Sequence, residues 1–163
     1  MSRWVQAKAC CTGDDEKKRS ELPNAVLVDT CAVIWLANGD PLSQEALAAI
    51  SHAALAEGVF VSPASAWEVG LLSRVRSGNV PALTFFPDPQ SWFARFMAGP
   101  GIKEAPLLPE IAIASSHLPD PLHGDPADRF VIATARHHQI PIITRDRKIA
   151  DYAAQGHVNV IAC

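Results

Sequence analysis

The chain has 163 residues, of which 48% are hydrophobic and 19% charged, and its formal net charge is −3. This balance excludes an intrinsically disordered chain and a protein coated in positive charge for indiscriminate nucleic-acid binding. The length suits one domain with a full core. No apolar run reaches the ~18 residues of a membrane span. The four cysteines form no C-x-x-C pair, so we expect a protein of the reducing cytoplasm with no contact to a membrane.

The first predicted elements follow a polar N-terminal stretch. We expect residues 1–23 to form a flexible lead-in, or to reflect a start codon placed too early, and residues 24–163 to form a single domain. An apolar run that ends in an acid predicts a buried strand at 26–30, and a short helix follows at 31–37. Ser43 is a good N-cap for a helix to about residue 57, with Gly58 ending it and Leu47, Ile50 and Ala54 on its apolar face.

The remaining elements continue this alternation. Residues 59–61 predict a second strand, and Ser62 with Pro63 predicts the start of a helix that runs to residue 78. An amphipathic helix is predicted at 91–98, with Trp92, Phe93 and Phe96 facing inward. A third strand is predicted at 102–107, and further helices at 109–116, 126–138 and 149–155. The last two strands are predicted at 141–144 and 158–161.

Strands that alternate with helices predict an α/β protein, a three-layer α/β/α sandwich with a central, mostly parallel sheet. Function in such sheets gathers at the carboxyl ends of the strands. Four acids are predicted to meet at that edge: Asp29, Glu68, Asp128 and Asp146. Carboxylates that converge repel one another, so they need a divalent cation or shifted pKa values. Hard oxygen ligands without a Cys or His partner favour Mg²⁺ or Mn²⁺.

Three of these acids also have simpler interpretations. Asp29 can cap the helix that follows it, with Thr30 holding the carboxylate or a metal-bound water through its hydroxyl. Glu68 can be an exposed helix acid, although it stands at the border of an apolar stripe. Asp146 can pair with the basic residues beside it, or hold a water or a second ion rather than the first ion.

The fourth acid, Asp128, lies near the start of a predicted helix, next to the predicted N-cap Asp125. Asp125 fits the N-cap of the helix at 126–138, because Pro126 then occupies the first helical position. Asp128 falls on the third position, where an acid can complete a capping box, and a metal-binding role is compatible with that position. Cys31 stands inside an apolar run and is interpreted as a small buried hydrophobic residue.

Basic residues near the same edge provide partners for phosphate groups. We expect Arg74, Arg145 and Arg147 to contact a nucleic-acid substrate. A divalent ion among the acids can activate water and neutralise charge on a phosphoryl group, so phosphodiester hydrolysis is the natural reaction. The spacing alone does not distinguish a nuclease from a phosphatase.

Four stretches resemble the sequence motifs of PIN domains, in the order and spacing of that family. They cover most of the region from residue 24 to residue 163 and stand at 26–36 (VLVDTCAVIWL), 62–70 (SPASAWEVG), 125–135 (DPADRFVIATA) and 142–146 (IITRD). With its small size, the chain is similar to the VapC-type toxins of bacterial toxin–antitoxin pairs.

The resemblance implies an endoribonuclease that depends on Mg²⁺ or Mn²⁺ and hydrolyses RNA through metal-activated water. It also implies a cognate antitoxin protein that restrains the activity, and commonly a homodimer. Carried over by position, the metal-site acids are Asp29, Glu68 and Asp128, and Asp146 is a fourth, more variable catalytic acid. The supporting residues are Thr30, Asp125, which matches an additional acid of one branch of these toxins, and Thr144.

Two other functions compete with this interpretation. A phosphatase of the haloacid dehalogenase kind also begins with an acid at a strand end. Its chemistry needs a second Asp two residues later, where this chain has Cys31. A catalytically silent module that only contacts RNA or a protein would have no need for all four acids.

Overall fold

The computed structural model describes residues 22–75, 81–122 and 124–163, and in this part the chain forms a five-stranded parallel sheet in the order β3-β2-β1-β4-β5. The strands are β1 (Ala25–Val28), β2 (Gly58–Val61), β3 (Ile102–Glu104), β4 (Ile142–Thr144) and β5 (Val160–Ala162). The helices are α1 (Thr30–Asn38), α2 (Gln44–Leu55), α3 (Pro63–Leu72), α4 (Pro89–Met97), α5 (Pro109–Ser116), α6 (Pro126–His138) and α7 (Arg147–Ala154). The predicted α/β fold is confirmed.

Helices cover both faces of the sheet because successive side chains of a strand point to opposite sides. Leu27 of β1 packs into a core built with residues of α5, α6 and α7. Its neighbours Val26 and Val28 pack into a second core, with residues of α1, α2 and α4. The apolar run of β1 therefore supplies both cores, which explains why it shows no polar alternation.

Alanines pack α2 against the sheet, whereas larger residues were predicted to form its apolar face. Leu47, Ile50 and Ala54 are only half-buried. The fully buried face of the helix is formed instead by Ala46, Ala49 and Ala53. Methyl-sized side chains let the helix approach β1 and β2 closely, and the larger residues then pack along its sides.

Element boundaries differ from the predictions where long-range or capping bonds end a segment. α3 ends at Leu72, not near residue 78, because the Leu83 N–H donates to the Leu72 carbonyl at 2.8 Å. The rest of that predicted extension, from residue 76, lies outside the described residues. α7 begins at Arg147 rather than 149, because Asp146 caps it by accepting from the Lys148 N–H at 2.7 Å.

Two further predictions concern the N-terminal lead-in and membrane contact. The lead-in predicted for residues 1–23 lies outside the described residues except for Leu22 and Pro23. Among the helices that the structure describes, none is both long enough and apolar enough to cross a membrane.

Candidate active site

The four acids predicted to meet do share one place, the carboxyl edge of the sheet. Asp29 follows β1 directly, Asp146 follows β4, and Glu68 lies on the helix that begins after β2. Asp128 stands in the first turn of α6. These four side chains line a single cavity of about 320 Å³.

Three of the helices around this edge begin at an aspartate. Asp29 is the N-cap of α1, Asp125 of α6 and Asp146 of α7, and each carboxylate accepts a hydrogen bond from a backbone N–H of the first turn. The capping interpretations of Asp29 and Asp125 are therefore confirmed. Capping is compatible with a site role, because the N-terminal end of a helix favours negative charge.

Asp29 is buried, with 5% of its surface exposed, and both of its carboxylate oxygens accept hydrogen bonds. Oδ1 accepts from the Thr30 N–H at 2.6 Å. Oδ2 accepts from the Thr144 hydroxyl at 2.7 Å and from the Cys31 thiol at 3.0 Å. Thr144 Oγ1 also accepts from the Asp146 N–H at 3.0 Å. Thr144 thus links the turn that follows β4 to Asp29, which follows β1.

Thr30 connects α1 to α3. Its hydroxyl donates to Glu68 Oε2 and lies 3.0 Å from the hydroxyl of Ser65, which is fully buried. The hydroxyl was expected to hold the Asp29 carboxylate or a metal-bound water. It donates to Glu68 rather than to Asp29, which accepts from the Thr30 backbone N–H.

Burial and mutual repulsion make negative charge costly in this cluster. The pKa of Asp128 rises from 3.8 to about 7, first because the carboxyl is buried and then because other carboxylates lie near it. Burial also raises the pKa of Glu68, assisted by nearby acids and opposed by the hydrogen bond from Thr30. A nearby divalent cation would favour the ionised form of both groups.

Asp125 is exposed and does not line the cavity. Its Oδ1 accepts from the Ala127 N–H at 3.0 Å. Its negative charge nevertheless contributes to the raised pKa of both Asp128 and Glu68. The residue therefore acts on the cluster at a distance.

Cys31 is a residue of this site that the sequence interpretation missed. It lines the cavity and is only half-buried, whereas a buried apolar role was expected. Burial and the negative charge of Asp29 raise the pKa of the thiol to about 12, so it remains protonated and donates to Asp29. The sequence did contain a signal for this location, because Cys31 lies in the first turn of α1, two residues after Asp29.

The three arginines expected to contact substrate have different positions. Arg145 lines the cavity, with its guanidinium carbon 4.0 Å from the centre of the Trp35 ring. Its Nε donates to the Cys163 carbonyl at 2.6 Å and its Nη2 to the Pro41 carbonyl at 3.1 Å. Arg74 and Arg147 are exposed and do not line the cavity.

The donors suit a hard divalent cation in kind, because four of the residues that line the cavity carry carboxylates. The positions of these side chains, however, do not form a complete metal site. Over residues 22–75, 81–122 and 124–163, no three Asp, Glu, His or Cys side chains are arranged so that they could hold one ion together. Binding of one ion by three of these carboxylates together would therefore require at least one side chain to turn toward the others.

Comparison with known proteins agrees with the fold and with the motifs around the acids. The family model of the PIN domain matches residues 26–155. The chain belongs to the PIN domain family. It is 30% identical over 139 residues to Ribonuclease VapC22 of Mycobacterium tuberculosis (strain ATCC 25618 / H37Rv), a match that covers 83% of this chain and 97% of that protein. The predicted resemblance to VapC-type PIN proteins is confirmed.

Solved structures share the PIN fold at lower sequence identity. The crystal structure of VapBC2 from Rickettsia felis, bound to a DNA fragment from their promoter, superposes with a TM-score of 0.55 at 10% identity, covering 85% of this chain and 98% of that chain. FitAcB from Neisseria gonorrhoeae gives a TM-score of 0.50 at 20% identity, covering 83% of this chain and 96% of that chain.

Proposed function

We propose that this PIN-domain protein is the toxin of a toxin–antitoxin pair, an endoribonuclease that uses Mg²⁺ or Mn²⁺ to hydrolyse RNA phosphodiesters. The observation that carries the proposal is the cavity lined by Asp29, Glu68, Asp128 and Asp146 at the carboxyl edge of the sheet. The curated relative, a VapC ribonuclease with which 83% of the chain aligns, supports the same activity.

Asp29, Glu68 and Asp128 are the residues proposed to hold the ion. Asp29 is the fixed member, because donors from the backbone, Thr144 and Cys31 hold both of its oxygens. A bound ion would stabilise the ionised form of Asp128 most, since the negative charge of this carboxyl is otherwise disfavoured by burial and by the other acids. A divalent ion in such a site would polarise a phosphoryl oxygen and lower the pKa of water.

The remaining cavity residues would orient the substrate. Asp146 keeps its position through the cap of α7 and through the bond from its own N–H to Thr144. From there its carboxylate is proposed to accept a hydrogen bond from the attacking water. Arg145, held by two carbonyls and by Trp35, is proposed to contact a phosphate oxygen. The exposed Arg74 and Arg147 would contact more distant phosphates.

The proposal extends to partners and location. A cognate antitoxin is proposed to bind the protein and restrain it, and the active form is proposed to be a homodimer acting on RNA in the cytoplasm. The solved structures that share the fold include VapBC2 bound to promoter DNA and FitAcB.

Replacement of Asp29 tests the activity. Purified protein with Mg²⁺ or Mn²⁺ should cleave single-stranded RNA, and Asp29→Asn should abolish cleavage while keeping an oxygen to cap α1. Asp88→Asn is the matched control, because Asp88 also caps a helix, α4, through its carboxylate but lies exposed and outside the cavity. Cleavage by the Asp29 variant at the rate of the parent protein would refute the role of the acids.

A catalytically silent binding module is the second candidate. One observation favours it, namely that no three ligands stand together in the described ranges. Titration calorimetry with Mn²⁺ separates the candidates, because a silent module would release or absorb no metal-dependent heat and would leave RNA intact. Binding of Mn²⁺ and cleavage of RNA by the parent protein, both lost in Asp128→Asn, would support the nuclease.

A further inference from the structure

The cavity has an apolar wall beside the acids, formed by Ile34, Trp35 and Leu72. Trp35 comes four residues after Cys31 on α1, and Leu72 comes four residues after Glu68 on α3. Residues four apart share one face of a helix, one turn from each other. Each helix therefore presents a polar residue at the acidic end of the cavity and an apolar residue one turn further along.

Trp35 is held in place by an arginine whose own position is fixed. The Arg145 guanidinium lies 4.0 Å from the Trp35 ring centre. Its bonds to the Cys163 and Pro41 carbonyls fix two of its three nitrogens. A planar aromatic ring and a planar cation thus line the same cavity as the acids.

We propose that the apolar wall binds a nucleobase of the RNA, next to the phosphodiester held at the acids. This inference rests on the proposed ribonuclease function. Proteins that bind single-stranded RNA stack unpaired bases on aromatic rings and on arginine planes. Arg145 lies over one face of the Trp35 ring, so a base would stack on the opposite face of the ring or of the guanidinium.

The charge of the protein gives a reason for base contacts to matter here. The chain carries a formal net charge of −3. Among the described residues that line the cavity, four are acids and only Arg145 is basic. Attraction to phosphates, which dominates binding by basic proteins, is weak at such a surface. Contacts to a base supply affinity that does not depend on positive charge.

Binding of two matched RNA probes tests the inference. One is a short fluorescein-labelled single-stranded RNA of mixed sequence, and the other is the same strand built from abasic ribose phosphates. Anisotropy titrations of the full chain with Ca²⁺ in place of Mg²⁺, since Ca²⁺ also binds carboxylates, give the affinity for each probe. We expect the protein to bind the base-bearing strand about tenfold more tightly than the abasic strand.

Variants of the wall decide where that preference arises. Trp35→Ala should lose most of the preference for the base-bearing strand, with a smaller loss of affinity for the abasic strand because Trp35 also holds Arg145, and Trp35→Phe should keep the preference. Leu72→Ala repeats the test from α3 in case loss of Trp35 unfolds the chain. Trp67→Ala is the matched control, because Trp67 lies on α3 with 52% of its surface exposed and does not line the cavity.

Two results would overturn the inference. One is that the parent protein binds both strands equally or binds neither. The other is that Trp35→Ala and Leu72→Ala keep the full preference, which would assign the wall to another partner, such as a peptide. A base preference that depends on Trp35, in a protein that cleaves no RNA with Mg²⁺ or Mn²⁺, would support the subsite and refute the nuclease.

Discussion

Replacing Asp128 with asparagine should stabilise the metal-free protein at neutral and alkaline pH. In the folded chain the pKa of this carboxyl is about 7, against an ordinary value of 3.8, because it is buried among other acids. The unfolded chain ionises it freely. Stability is therefore lost as the pH rises from about 4 to about 7, while the unfolded state has released this proton and the folded state still holds it.

The pKa values set the size of the effect. A pKa difference of about 3 corresponds to roughly 4 kcal/mol at 1.36 kcal/mol per unit. Asp128 borders an open cavity, so screening by solvent reduces this to about 2 kcal/mol. Asparagine also loses roughly 0.3–1 kcal/mol of interaction with the N-terminus of α6. The net gain at pH 8 should be about 1–2 kcal/mol, or roughly 2–8 °C in Tm.

Thermal unfolding in EDTA at several pH values measures this difference. The Asp128→Asn variant should melt higher than the parent protein at pH 8, and the advantage should vanish as the pH falls to about 3, where the parent carboxyl is largely protonated in both states. Comparing the two proteins at each pH cancels the titration of groups that do not interact with Asp128. A variant that melts lower at pH 8, or whose advantage is the same at both pH values, would refute this account of the acid cluster.

Three further predictions concern packing and hydrogen bonding. Thr144→Val should lower the free energy of unfolding in urea by about 1–3 kcal/mol, because it leaves buried Asp29 with one donor fewer, and Thr144→Ser should restore most of the loss. Cys31 should react with iodoacetamide at pH 7.5 at least about tenfold more slowly in the folded protein than in urea, because a pKa of about 12 leaves little thiolate, and equal rates by peptide mass spectrometry would contradict this. Ala53→Leu should cost about 1–3 kcal/mol in the same urea assay, because Ala53 is fully buried in the core between α2 and the sheet, whereas Leu55→Ala, at a site 85% exposed, should change little.

Local signals allowed most of the fold to be predicted. The apolar run before Asp29 predicted a strand buried on both faces, and both cores contain residues of β1. Ser43, Ser62 and Asp125 marked helix starts, and each caps its helix through its side chain. Such signals depend on neighbours within a few residues, so the sequence displays them directly.

Features that depend on distant parts of the chain were not predictable in the same way. The buried face of α2 was misjudged because apolar size favoured Leu47 and Ile50, whereas close approach to the sheet favours the alanines. The arrangement of Arg145 was also missed, because it joins Pro41, 104 residues away in sequence, to Cys163 and Trp35. The sequence predicted that the four acids would meet at one edge of the sheet, whereas the thiol contact of Cys31 and the apolar wall beside the acids depend on three-dimensional packing.

The aspartates that begin helices at this edge carry two separable properties, a capping oxygen and a charge. Asparagine retains the oxygen and removes the charge, whereas alanine removes both. A single Asp146→Asn change therefore leaves the start of α7 intact, whereas Asp29→Asn keeps the cap of α1 but loses an oxygen that accepts from Thr144 and Cys31. A chain that has lost only the Asp146 charge should accumulate in cells as well as the parent does, so protein abundance alone would not reveal a loss of the proposed activity.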